Sequence, residues 1–218
     1  TTCRAPLTAT TGAQGLWVSA VMAGFALART AGSSGKRPGI GGGPSGATAA
    51  QELASQGWRV LLLDRQGRTK PCGGAIPPRL IKDYAIPDEL IVAKIKCARM
   101  VAPSNRQVDI PIDNGYVGMV DRDKFDEWLR ERAAESGAVR RTGVFERFSR
   151  DPDGCGVVHY RDKQGGEGRV RARMIIGADG ARSEVARQCV PGAEDVPYVF
   201  AYHEIIRTPN EAGSTFDG

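Results

Sequence analysis

Histidine and paired cysteine are what this chain of 218 residues lacks most: it has 2 His, and its 5 Cys are scattered. Cys3, Cys72, Cys97, Cys155 and Cys189 never form a CxxC pair, so neither a zinc site nor a disulfide framework is indicated, and a reducing cytosol is the expected compartment. With only His159 and His203 and no HExxH pattern, catalytic metal chemistry is not expected. Long apolar runs are also missing. The longest, Leu16 to Leu27, has 12 residues, short of the roughly 20 that cross a bilayer. Arg4 upstream and Ala26-Leu27-Ala28 at its end give it the look of a weak secretory signal, but the run from Thr1 to Thr11 before it is not a typical charged start.

Acid is absent from residues 1–39, where Arg4, Arg29, Lys36 and Arg37 carry four of the net +5 charges. The remainder is nearly neutral, which removes nucleic acid as an expected partner. Hydrophobic residues at 41% and charged residues at 25% are ordinary for a globular protein and exclude a disordered or collagen-like chain. What is abundant is glycine, 28 residues, near twice the usual share of about 7%.

That glycine falls in ordered places. Gly41, Gly43 and Gly46 form GxGxxG at the start of a helical pattern that Gly57 closes. The first glycine permits a tight turn, the second a close approach of backbone to a pyrophosphate, and the third close packing of helix on sheet. Residues 59–64 read as a buried strand ending in Asp64, 18 residues after Gly46, where a carboxylate accepts hydrogen bonds from an adenosine ribose. One part is missing. The fingerprint should follow a strand, but Pro38, Gly39 and Ile40 precede it, and no first strand is expected there.

Farther on, residues 65–78 form a Gly/Pro-containing connection around Cys72-Gly73-Gly74. Strands are expected at 97–103 and at 106–112, the second with Val108, Ile110 and Ile112 on one face. An amphipathic helix starting at Asp121 carries Phe125, Trp128, Leu129 and Ala133 on its apolar side and ends at Gly137. Three strands are expected at 139–149, 155–161 and 169–176, separated by the turns DPDG and KQGG. The last leads into Gly177-Ala178-Asp179-Gly180, a second glycine-acid turn, with Ser183 opening a short helix and a final strand at 198–206. His159 and His203, in strand-like runs, are expected to serve ordinary packing.

The segments GGGPSG, LLLDR, KPCGGAIPPRL, VDRDKFDEWLRERAAESGA, MIIGADGARSEVAR and PYVFAYHEI occur in one order over residues 40–218. Together they resemble the geranylgeranyl reductase family of chlorophyll and bacteriochlorophyll synthesis. CGGAIPP and the VAPSN run at 101–105 distinguish these reductases from the wider class of flavoproteins with the p-hydroxybenzoate hydroxylase fold.

The resemblance implies an α/β fold: a Rossmann-type FAD-binding domain with an inserted β-rich portion, incomplete at its C-terminus. Residues 1–39 would be an atypical, disordered or non-native leader, and 40–218 the front of the FAD/NAD(P)-binding domain with the start of the substrate domain. A truncated or frameshifted reading fits the unmatched leader, the missing strand and the end before a second flavin motif.

The implied activity is reduction of geranylgeranyl double bonds by FAD and NADPH, on a chlorophyll-type pigment or the free diphosphate. By resemblance, Gly41, Gly43 and Gly46 hold the pyrophosphate and Asp64, followed by Arg65, the ribose. Cys72, Gly73 and Gly74 form a loop near the isoalloxazine, Cys72 being the candidate catalytic residue. Arg122 approaches the flavin, and Asp179 and Gly180 serve FAD and NADPH. The implied location is the cytoplasm, with peripheral contact to a photosynthetic membrane through the prenyl substrate. The competing readings are a flavin-dependent aromatic hydroxylase of the same fold and an inactive fragment.

Overall fold

The computed structural model describes residues 38–65, 72, 74–113 and 115–197, with the backbone alone at 38–40. In chain order the elements are β1 (Pro38–Ile40), α1 (Pro44–Ser55), β2 (Leu61–Asp64), β3 (Ala75–Ile76), α2 (Pro78–Asp83), β4 (Ile91–Ile95), β5 (Cys97–Val101) and β6 (Gln107–Pro111). They continue with β7 (Val117–Val120), α3 (Arg122–Glu135), β8 (Val139–Thr142), β9 (Val144–Arg150), β10 (Gly156–Arg161), β11 (Glu167–Ala172), β12 (Ile176–Gly177) and α4 (Glu184–Cys189). The chain divides into two units, Thr1–Gln66 with Leu129–Pro197 and Gly67–Trp128 with Tyr198–Gly218, the division falling inside α3.

The first unit is built on a parallel sheet of order β12-β1-β2-β8. Leu61, Leu62 and Leu63 are all buried, as expected of a strand covered on both faces. Leu61 and Leu63 join Phe145, Val158, Tyr160, Val170 and Val185 in one core. Fully burying each such side chain contributes about 1.5–3 kcal/mol. Helix α1 packs on β1 and β2 and buries Gly46, Ala47, Ala50 and Ala54, small residues that bring helix and sheet close.

The expected absence of a first strand is corrected here. β1 lies between β12 and β2 and pairs in parallel with both, Gly39 opposite Leu62 and Ile176. Strand pairing uses backbone N–H and C=O groups, so three residues with little apolar character suffice. Pro38, which has no N–H to donate, stands first in the strand, where proline is tolerated. The remainder of the expected leader, the apolar run at 16–27 and Cys3 lie outside the described residues, as do His203 and the strand at 198–206.

Two expected strands each prove to be two. The 139–149 run breaks at Gly143: β8 extends the parallel sheet beside β2, whereas β9 joins an antiparallel sheet of order β11-β10-β9. A Cβ at Gly143 would stand 2.6 Å from the Tyr160 ring, so the chain switches sheets at a residue with no side chain. Likewise 169–176 divides into β11 and β12. The turns between β9, β10 and β11 are closed by Gly154 N–H to Asp151 O at 2.8 Å and Gly165 N–H to Asp162 O at 3.2 Å.

The second unit holds an antiparallel sheet of order β3-β7-β4 and a two-stranded ribbon, β5-β6. In the ribbon Met100 faces Val108 and Ala98 faces Ile110, so the expected alternation holds, but this face is exposed. The VAPSN run forms its turn, with Asn105 in the left-handed region at φ 58°. In α3, Phe125, Leu129 and Ala133 are buried and Trp128 is half-buried against Phe125, ring centroids 5.8 Å apart. Gly137 ends the helix at φ +102°.

Candidate functional site

The glycine loop of the first unit is defined by what a side chain would strike. A Cβ at Gly41 would lie 2.2 Å from Ala178 O, with φ at +107°, and one at Gly46 would lie 1.8 Å from Gly41 O. A Cβ at Gly43 would meet nothing within 4 Å. Gly41 and Gly46 are thus fixed by packing, whereas Gly43 presents bare backbone to open space. Gly42, not singled out from the sequence, is equally constrained: its Cβ would fall 2.8 Å from the Asp64 carboxyl carbon and 2.9 Å from Arg130 Cδ.

Gly43 is the N-cap of α1. It makes no side-chain cap, Pro44 occupies the first turn, and no acid lies there. Among the described residues no side chain caps the first-turn N–H groups, which together with the positive end of the helix dipole suit an anion.

Asp64, at the end of β2, accepts a hydrogen bond from Gly42 N–H at 3.1 Å. Arg130 donates to Gly42 O at 2.9 Å and stands 3.7 Å from the second Asp64 oxygen. Both side chains are largely buried, 22% exposed for Asp64 and 15% for Arg130. The pair locks the loop to the strand. Sequence reasoning missed Arg130, because a helix-surface arginine 66 residues from Asp64 carries no local signal. Arg65, the next residue, is exposed.

The second glycine-acid turn packs directly on the first, as the contacts of Ala178 with the Gly41 and Gly46 positions show. Asp179 faces α4. Its Oδ1 accepts from the Ser183 hydroxyl at 2.5 Å, and its Oδ2 from Glu184 and Val185 N–H at 2.7 and 3.1 Å. Ser183 Oγ accepts from Ala186 N–H at 2.9 Å. All three first-turn N–H groups of α4 are consequently satisfied within the chain, unlike those of α1. Gly180, at φ +89°, has no neighbour that a Cβ would strike.

In the second unit Gly74 is buried, at φ +72°, where a Cβ would stand 2.1 Å from Val120 O. Val120 N–H donates to Gly74 O at 3.1 Å. Gly73 lies outside the described residues; Cys72 is exposed and lies near Arg122. Arg122 is no solvated helix charge. Its Nε and Nη2 donate to the two Asp126 oxygens at 2.8 and 3.0 Å, and the side chains are 12% and 8% exposed. This hydrogen-bonded carboxylate holds the guanidinium above its ordinary pKa; burial opposes the shift, and Cys72 adds to it. Asp126 was not legible as buried, since it sits among the charged residues of α3.

Two family models cover most of the described chain: an NAD(P)-binding Rossmann-like domain over residues 40–86 and an FAD binding domain over residues 79–198. The chain belongs to the FAD binding domain family. Over 171 residues it is 60% identical to geranylgeranyl diphosphate reductase of Rhodobacter capsulatus, a match covering 78% of this chain and 43% of the relative. It is 39% identical to the chloroplastic geranylgeranyl diphosphate reductase of Oryza sativa over 185 residues, 79% of this chain and 40% of the relative. The chain therefore spans less than half the length of these relatives.

Among solved structures, this FAD binding domain resembles a geranylgeranyl bacteriochlorophyll reductase-like protein from Thermoplasma acidophilum, with TM-score 0.54 and 26% identity over 61% of this chain and 36% of the other. A myxobacterial chondrochloren halogenase, with TM-score 0.57 and 23% identity over 68% of this chain and 38% of the other, shares the fold. The expected Rossmann-type FAD-binding fold is thus borne out.

Proposed function

We propose that this chain is part of an FAD-dependent, NADPH-using reductase of geranylgeranyl double bonds, acting on a prenylated pigment or on geranylgeranyl diphosphate. The observation that carries the reading is the 60% identity over 171 residues to a geranylgeranyl diphosphate reductase. The glycine loop fits the cofactor: an uncapped helix start, a Cβ-free approach at Gly43 and a ribose-accepting carboxylate at Asp64.

Bound FAD would supply hydride transfer from a nicotinamide to one alkene carbon, the step no amino acid side chain performs. The protein's share is binding and orientation. The first-turn N–H groups of α1 hold the pyrophosphate, and Asp64, oriented by Gly42 and Arg130, accepts from the ribose hydroxyls. The resemblance assigns Arg122, which Asp126 holds, and Cys72 to the flavin, and Gly74 sits against Val120 O where a Cβ would not fit. Cys72 is the candidate donor of the proton that completes alkene reduction. Asp179 ties the Gly177–Gly180 turn to the start of α4, while Ala178 of the same turn packs on the glycine loop.

Among the described residues no helix is long and apolar enough to cross a membrane. Peripheral contact through the prenyl substrate and a cytoplasmic location belong to this proposal. The test is anaerobic: the full-length flavin-loaded protein is mixed with NADPH and geranylgeranyl diphosphate. Bleaching of the flavin band, reversed as the substrate gains hydrogen, supports the reductase. NADPH oxidation that requires oxygen and yields a hydroxylated product contradicts it.

A further inference from the structure

The sheet β9-β10-β11 carries a row of cations that no part of the dinucleotide reading uses. His159 on β10 stands directly opposite Arg147 on β9 and Arg169 on β11. Its chain neighbours Val158 and Tyr160 point into the core, so the row lies on the other face. Adjacent strands are about 4.8 Å apart, which puts Arg147 and Arg169 roughly 10 Å from each other at the backbone, with the imidazole between them. Two long side chains readily close that span around one tetrahedral anion.

The pairing pattern marks the row out. Elsewhere in strands β8 to β11, Arg141 donates to Tyr160 Oη at 2.8 Å, Arg150 to Gly154 O at 3.0 Å and Arg161 to Glu146 at 2.8 Å. Arg171 pairs with Asp151 at 2.6 Å, and Arg140 is also partnered. Arg147 and Arg169 alone in these strands have no ion pair or hydrogen bond among the described residues, and both are exposed. The Ser149 hydroxyl lies 2.7 Å from His159 Nε2, leaving Nδ1 as the ring's remaining polar atom. The two guanidinium groups flank the imidazole from either side of β10, and an anion bound between them would offset their positive charge.

We propose that Arg147, His159 and Arg169, with Ser149, form a binding site for a phosphate group, carried by a nucleotide or by a lipid headgroup. Arginine supplies paired, fixed donors for phosphate oxygens, and an imidazolium supplies a third. In the free protein the ring is held below its ordinary pKa by burial and then by Arg147 and Arg169, while Glu167 and Glu146 oppose them. A phosphate between the arginines relieves that repulsion, so anion binding and protonation of His159 reinforce each other. The site is independent of the flavin reading, and either can fail without the other.

The chain's 2 His make the imidazole easy to follow by NMR of the labelled full chain. Inorganic phosphate at constant ionic strength is expected to raise the His159 pKa saturably, with chloride having no such effect. Arg147→Gln and Arg169→Gln, both on the exposed face, should each weaken phosphate binding by about tenfold or more while leaving the fold intact. Competition by NADP+ but not by phosphatidylglycerol vesicles identifies a nucleotide phosphate, and the converse identifies a lipid headgroup. A chloride response equal to that of phosphate, binding that survives both substitutions, or competition by neither carrier overturns the proposal.

Discussion

Arg122 and Asp126, one turn apart on α3, form a two-point ion pair that is almost wholly buried. Exposed pairs at this spacing contribute a few tenths of a kcal/mol; a buried one behaves differently, because each partner alone is an uncompensated charge. Asp126→Ala should therefore destabilise the protein by about 3–5 kcal/mol in urea unfolding, and Arg122→Lys, which loses the two-point geometry, by less. A loss under about 0.5 kcal/mol for Asp126→Ala would show the pair to be solvated in practice.

The glycines of the loop are expected to separate by role. Gly46→Ala places a Cβ against Gly41 O and should cost about 3 kcal/mol or more. Gly43→Ala meets no neighbour, so only the N-cap preference is lost, about 1 kcal/mol or less, while FAD affinity falls. Thermal unfolding beside FAD titration of the same variants distinguishes the two effects.

Asp179 is expected to act through α4. Asp179→Ala strands the Glu184 and Val185 N–H groups and should cost about 1–2 kcal/mol, with Asp179→Asn retaining part of the effect. Urea unfolding reads it. An Asp179→Ala variant of unchanged stability that no longer binds NADPH would instead make the carboxylate a ligand group.

Stability should depend on His159 at acid pH. Its pKa in the fold is lowered from 6.5, so the unfolded chain binds more protons as pH falls below that value, and stability declines with falling pH. The groups acting on the ring are Arg147, Arg169, Glu167 and Glu146. His159→Gln should flatten this part of the stability–pH curve, as measured by urea unfolding at stepped pH. An unchanged slope would contradict the assignment.

Much of the site is written locally in the sequence. GxGxxG, the acid at Asp64, the apolar stripe of α3 and the GADG turn each come from short-range spacing, and the fold places them as expected. The misses share a physical origin. β1 pairs through backbone atoms, which leave little trace in residue type, and the chain switches sheets at Gly143, where Tyr160 leaves no room for a side chain. Arg130 and Asp126 look like solvent-facing charges on a helix until the elements around them are placed. His159 is half-buried on the face of β10 opposite Val158 and Tyr160, beside the cross-strand Arg147 and Arg169, a juxtaposition that only strand pairing creates.

The central claim is that the loop from Gly41 to Gly46, with Asp64, holds the FAD. Equilibrium dialysis of the protein against FAD, read by flavin absorption for the native sequence, Gly43→Ala and Asp64→Ala, tests it most directly. The account predicts stoichiometric flavin binding by the native sequence and at least about a tenfold loss for each variant at preserved secondary structure. FAD binding that neither substitution weakens would contradict it.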